Sequence, residues 1–183
     1  DEMARKNGYR ELNVSDLQQN GADLMDQAQL NAFKKFVGLG LIKGFEIYSH
    51  QLKMLKSAMS GKHSIITSQT GSGKTEAFLL PLFAQIFKEI LNQQKPWDPA
   101  QKRQNEQNFW KDDDFGFSNC RKNESRPKAM RAMVIYPMNA LVEDQMGRMR
   151  AALCSEKADI FFRDQLSRNR IYIGRYNGST PIS

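Results

Sequence analysis

Apolar positions along this chain follow two different rhythms. Between Val14 and Val37, the residues Leu17, Leu24, Leu30, Phe33 and Val37 recur at spacings that line one side of one or two helices, with Asn20-Gly21 as a break. Gly38, Gly40 and Gly44 punctuate a turn-rich connection. From Ser49 to Ser60, Leu52, Leu55 and Met59 form a second helical stripe, and Gly61 supplies its stop signal. The centre then changes character. Ser64-Ile65-Ile66-Thr67 is a brief strand-like run, followed by a glycine-rich turn and an apolar helix from Lys74 to about Leu91. Ala132-Met133-Val134-Ile135-Tyr136 predicts a second buried strand, a helix follows from about Ala140 to Leu153, and Ile171-Tyr172-Ile173 predicts a third strand. Strands alternating with helices imply parallel pairing through right-handed crossovers, hence an α/β sheet with helices on both faces. Continuous apolar strands suit a sheet buried on both sides.

Two stretches break these rhythms. Residues 1–12 are polar and are expected to be poorly ordered at the tip. Residues 92–128 are rich in Gln, Asn, Lys and Asp, contain Pro96, Pro99 and Pro127, and have no period. A helix-to-strand connection of that length is unusual in a compact domain, which predicts an inserted arm. Its aromatics Trp97, Phe109, Trp110, Phe115 and Phe117 argue that the arm docks. The expected organisation is a helical lead over 1–44 and a partial nucleotide-binding domain over 45–183, with the insertion at 92–128.

Composition narrows the partners. A formal net charge of +7 favours a polyanion, nucleic acid above all, through phosphate contacts and counterion release. Basic and aromatic residues of the arm (Arg103, Lys111, Arg121, Lys122 and Arg126 with Trp97 and Trp110) suit contact with nucleic acid or a partner protein, but a packed, self-contained flap is the leading expectation. No stretch approaches the ~20 apolar residues that span a membrane, so no membrane partner is expected. Cys120 and Cys154 have neither metal-ligand spacing nor the density of a disulfide scaffold, which suits reduced thiols in the cytoplasm. No basic–apolar leader opens the chain. It begins at Asp1 and ends at Ser183 after a Pro-Ile pair, the expectation being a fragment of a longer protein.

The strongest chemical signal is Ser68-Gln69-Thr70-Gly71-Ser72-Gly73-Lys74-Thr75, between the first predicted strand and its helix. That context is the one a phosphate-binding loop requires. Gly71 and Gly73 permit backbone conformations that turn N–H groups inward onto phosphate oxygens, with Thr70 and Ser72 completing the curl. The helix that follows adds its positive end. Lys74 is the catalytic cation for the β- and γ-phosphates of ATP, and Thr75 supplies a hydroxyl ligand to Mg²⁺. The general pattern begins with glycine, whereas Ser68 stands here. In this it resembles the superfamily 2 helicases of the DEAD/DEAH type, which place a small residue at that position.

Further motifs carry the same resemblance. Gln51, twenty-three residues before Lys74, has a carboxamide able to donate to N7 and accept from N6 of adenine. It is similar to the glutamine of the helicases' Q motif, with Tyr48 or Phe45 to pack on the base; His50 and His63 are read as bystanders. Tyr136-Pro137-Met138-Asn139-Ala140-Leu141-Val142-Glu143-Asp144-Gln145 resembles motif Ia, a turn that touches the sugar–phosphate backbone. Pro137 shapes that turn, Asn139 and the helix start can donate to a phosphate, and Arg148 and Arg150 extend the contact along the helix. Gly174-Arg175-Tyr176-Asn177-Gly178-Ser179-Thr180-Pro181 is similar to the element after the third strand in several helicase families. Arg175, Tyr176 and Thr180 are its candidate contacts, by charge, stacking and hydroxyl donation.

The resemblance spans Phe45 to Pro181, broken by the insertion. It implies an incomplete RecA-like P-loop sheet, ATP with Mg²⁺ as cofactors, DNA ahead of RNA as track, and a second RecA-like domain as partner. The wording of 136–145 and 174–181 is similar to large helicases of bacterial phage-defence systems, of the Druantia and DISARM kinds. Two other classes remain open: a P-loop enzyme such as a small-molecule kinase, and a scaffold module that uses nucleotide as a switch. A kinase has no need of Gln51 at its distance from the loop, nor of the two strand-contact turns.

Helicases of this superfamily carry an Asp-Glu pair on a later strand, and nothing after Ile173 supplies it. Asp112-Asp113-Asp114 lacks a preceding apolar strand and is read as a solvated acidic patch. The expectation is that these 183 residues alone hold nucleotide weakly and turn over almost none. Phosphate release above the no-protein blank, abolished by Lys74→Ala, would contradict it.

Overall fold

The computed structural model describes residues 5–8, 11–42, 46–67, 71–100, 124–126, 129–176 and 178. In chain order the elements are β1 (Arg5–Gly8), a 3-10 turn (Val14–Leu17), β2 (Gln18–Gln19), β3 (Ala22–Asp23), α1 (Gln27–Phe36), a π-helical turn (Val37–Leu41), β4 (Glu46–Tyr48), α2 (Ser49–Met59), α3 (Lys74–Ile90), α4 (Asn139–Leu153) and α5 (Glu156–Gln165).

The lead differs from its sequence expectation in two places. Arg5–Gly8 is a strand that pairs antiparallel with β4, although its residues are polar. Ladder bonds come from the backbone, so a strand can form without an apolar pattern to announce it. Asn20 and Gly21 both have positive φ, 52° and 78°, the pair of dihedrals a two-residue hairpin needs. The expected break is therefore a hairpin turn, β2 pairs with β3, and α-helix begins only at Gln27. Asp26 starts it: its carboxylate accepts from the Gln29 amide at 2.8 Å, and the Gln29 side chain accepts from the Asp26 amide at 3.0 Å. The same Gln29 side chain donates to the Lys88 and Leu91 carbonyls, at 3.4 and 3.2 Å, and so satisfies acceptors at the far end of α3.

The core lies where α1, α3 and α5 meet. Phe36 is fully buried, with its ring 4.9 Å from Phe83, 5.1 Å from Phe87 and 6.0 Å from Phe161. Helix α5 has no counterpart in the sequence reading, though signals were present. Ser155 caps it by accepting from the Ala158 amide, and Ala158, Phe161 and Phe162 form the buried stripe at helical spacing.

The three apolar runs at 64–67, 132–136 and 171–173 take no part in a ladder among the described residues, whose pairings are two small antiparallel ribbons. Ile65, Met133 and Ile135 stand 92%, 69% and 80% exposed. Parallel strands depend on neighbours distant in sequence, and no described segment covers these side chains. Ile171 and Ile173 do pack partly against the core.

Both roots of the long polar stretch are fastened to one place. Ala100 donates to the Ser167 carbonyl at 2.9 Å, and Asn169 donates to the Asp98 carbonyl at 2.9 Å. On the other side Glu124 accepts from the Arg170 amide and the Tyr172 hydroxyl, at 3.2 and 3.0 Å. The Arg126 guanidinium lies 3.6 Å over the Trp97 ring, joining the two roots by a cation–π contact. The arm's body, with Phe109, Trp110, Phe115, Phe117, Cys120 and the aspartate triplet, lies outside the described residues. No helix among the described residues is long and apolar enough to cross a membrane.

Because Phe36 is shared by two other helices, Phe36→Ala leaves a cavity that neither can fill alone. Urea denaturation should show a loss of about 3–5 kcal/mol. A loss below about 1 kcal/mol would mean that the three helices do not share this ring.

Candidate nucleotide and nucleic-acid site

Gly71 and Gly73 take left-handed backbone, with φ of 81° and 76°. Gly73 is the residue before α3, and Lys74 and Thr75 open that helix, both half-buried. Ser72 between the glycines is buried. Ser68, Gln69 and the candidate Thr70 lie outside the described residues. The two glycines differ in their surroundings. A Cβ on Gly71 would meet nothing within 4 Å, whereas one on Gly73 would lie 2.3 Å from Gln51 Nε2. Left-handed glycines running into a helix N-terminus, with a lysine and a threonine as its first residues, fit a nucleotide polyphosphate.

Gln51 is buried in the first turn of α2 and does two things there. Its Oε1 accepts from the Tyr48 amide at 2.8 Å, closing a capping box at the helix start. Its Nε2 donates to the Gly73 carbonyl at 2.9 Å. The residue expected to read the base is therefore bonded to the backbone of the loop expected to hold phosphate. A carboxamide has two N–H groups and two lone pairs, so a base edge would use the remaining one of each. Tyr48 is half-buried and stacks on His50, with ring centroids 5.4 Å apart and planes at 20°. Phe45 lies outside the described residues.

The expected strand contacts separate into two groups. Pro137 and Tyr176 are exposed, Tyr176 at 83%. Asn139 opens α4, although its side chain is not among those described, and Thr180 lies outside the described residues. Arg148 and Arg175 have protein partners. Arg148 donates to Glu76 at 2.5 Å and to the Leu41 carbonyl at 3.1 Å, so it reaches back to α3. Arg175 pairs with Glu143 of α4, which joins the two segments expected to follow the strand. Tyr136, just before the turn, lies with its ring 6.4 Å from Phe78 of α3. Burial pushes its phenol above the usual range, against the pull of Arg148. Glu76 and Glu143 carry no mark in the sequence, because their partners are remote along the chain.

No group of His, Cys, Asp and Glu that could hold a metal ion occurs among the described residues. The Thr75 hydroxyl is the proposed Mg²⁺ ligand and falls outside that kind of group.

A family profile described as DEAD/DEAH box helicase matches residues 48–171. The Druantia protein DruE of Escherichia coli (strain UMEA 4076-1) is 31% identical over 147 residues, which cover 79% of this chain and 6% of that protein. The chain thus spans a small fraction of the curated relative it matches. No solved structure matches it significantly.

The glycines give a graded prediction. Gly71→Ala introduces left-handed strain alone, worth about 1–2 kcal/mol, while Gly73→Ala adds the collision with Gln51. Fluorescent ATP-analogue titration should show about 5- to 30-fold weaker binding for Gly71→Ala if the strain falls wholly on the bound loop, and a larger loss for Gly73→Ala. Equal losses would mean that the Gln51 contact does not constrain the loop.

Proposed function

Since this chain belongs to the DEAD/DEAH box helicases, we propose that it is the ATP-binding part of an ATP-dependent nucleic-acid translocase that acts on DNA in bacterial defence against phage. The family implies a RecA-like α/β fold. In our reading the runs at 64–67, 132–136 and 171–173 are the parallel strands of that sheet. The exposure of Ile65, Met133 and Ile135 supports this, since such side chains call for cover. The lead at 1–44 and the insertion at 92–128 are additions to that domain, and a second RecA-like domain is its partner in a cytoplasmic enzyme. The insertion's body is a self-contained flap or a site for a partner protein.

The observation that carries the reading is the bond from Gln51 to the Gly73 carbonyl. It ties a residue suited to adenine to a loop suited to phosphate. Lys74 and the amides after Gly71 hold the β- and γ-phosphates, Thr75 orients Mg²⁺, and Tyr48 packs beside the base. ATP bound with Mg²⁺ supplies the phosphoanhydride bond whose hydrolysis drives movement. The turn at Pro137 and Asn139 grips the strand's phosphates, and Arg175, Tyr176 and Thr180 line its path. The resemblance of 136–145 and 174–181 to phage-defence helicases, together with the likeness to the Druantia protein, supports the biological role.

Two measurements on the full natural protein test this. Binding to single-stranded DNA should weaken steeply and linearly on a log–log salt plot. Lys74→Ala should abolish DNA-stimulated ATP hydrolysis and leave assembly unchanged. A Lys74→Ala protein that still moves along DNA, or a wild type with no salt-dependent binding, would refute the proposal and favour a kinase or a scaffold.

A further inference from the structure

Arg148 and Glu76 stand 72 residues apart in sequence, yet they make a short ion pair, 2.5 Å, with both side chains more than four-fifths covered. Glu76 lies in the first turn of α3, two positions after Lys74. A carboxylate there competes with a polyphosphate for the helix's positive end unless a cation neutralises it. The Glu76 carboxylate also bends back toward the loop: its Oε2 would be 3.4 Å from a Cβ on Gly73. Arg148 comes from α4, the helix that begins at the strand-contact turn. The same guanidinium nitrogen also donates to the Leu41 carbonyl at 3.1 Å. Tyr136, at the entrance to the same turn, feels Arg148's charge and faces Phe78 of α3. The helix that opens at Lys74 and the helix that opens at Asn139 are therefore joined by a charge-assisted bond, stronger than a neutral one.

We propose that the Glu76–Arg148 pair is a positioning link through which the nucleotide loop and the strand-contact turn set each other's affinity. This rests on the helicase reading and deepens it. Arg148 acts on the strand through α4 and does not touch phosphate. Neither residue is a catalytic residue. A rise in strand affinity caused by nucleotide must equal the rise in nucleotide affinity caused by strand, which gives two readouts of one quantity.

The test uses the full natural protein, a fluorescent single-stranded DNA oligonucleotide and a non-hydrolysable ATP analogue. DNA affinity is measured with and without the analogue, across a salt series, for wild type, Glu76→Gln, Arg148→Gln and Arg148→Lys. Wild type should show coupling in the usual range, about 5- to 150-fold. In Glu76→Gln and Arg148→Gln the coupling should fall to within about twofold of none, while the salt slope without nucleotide stays that of wild type. Arg148→Lys, which keeps the charge but not the planar guanidinium, should retain part of it. Should Arg148→Gln fail to fold, Glu76→Gln decides alone, since it keeps shape and removes only the charge. Undiminished coupling in Glu76→Gln overturns the proposal. So does a nucleotide-free salt slope reduced by about one in Arg148→Gln, which marks a direct phosphate contact. A wild type that binds neither DNA nor the analogue defeats the helicase reading itself, and that result appears before any variant is made.

Discussion

Gly73 carries two obligations that only a glycine can meet together. Its φ of 76° turns the chain from the loop into α3, and its carbonyl accepts both from the Ala77 amide, at 3.1 Å, and from Gln51 Nε2. The first bond begins the helix; the second seats α2 against it. A side chain at this position would collide with the carboxamide that makes the second bond. The nearness of the first turn of α2 to the loop at 71–73 is thus enforced by a missing Cβ and one hydrogen bond. Everything later in the site takes its bearing from the direction in which α3 leaves Gly73.

That direction is held by the packing behind it. Phe83 and Phe87 fix α3 against Phe36 of α1, and Phe161 of α5 closes on the same ring. The far end of α3 is tied down separately. Gln29 satisfies its last carbonyls, and Glu89 accepts from the Trp97 indole at 3.1 Å while pairing with Arg131 at 2.9 Å. A helix anchored at its middle and its end is held at its first turn as well. Arg148 grips that first turn.

The charge pattern has a similar logic. A surplus of +7 suggests many cations ready for phosphate, yet Arg126, Arg131, Arg148, Arg163, Arg170 and Arg175 each face a carboxylate within the protein. Net charge governs the long-range field that draws a polyanion in. It does not say which guanidinium meets the strand, because short-range pairing assigns the partners one at a time. Arg148 is the clearest instance: read along α4 it extends a phosphate-binding turn, and in three dimensions it neutralises Glu76.

The sequence by itself determined the features that depend on neighbours a few positions away. The glycine-rich turn between a strand-like run and a helix, the approximate extents of α2, α3 and α4, the apolar stripe of α2, and the Asn20-Gly21 break all rest on local dihedral preference and helical spacing. Gln51 was found from its distance to Lys74, and the family resemblance followed from those words. Tertiary structure decided whatever joins distant residues. The pairing of Arg5–Gly8 with β4 uses backbone groups that every sequence carries. The ion pairs of Glu76 and Glu143, the fastening of both arm roots around Trp97, and the bond from Gln51 to Gly73 depend on which helices happen to meet. Helix α5 lay between these cases, with a cap and an apolar stripe legible in the sequence and its meaning visible only against Phe36. Spacing along a chain records the period of an element, whereas a contact between elements is fixed by how their surfaces pack, and no local pattern encodes that.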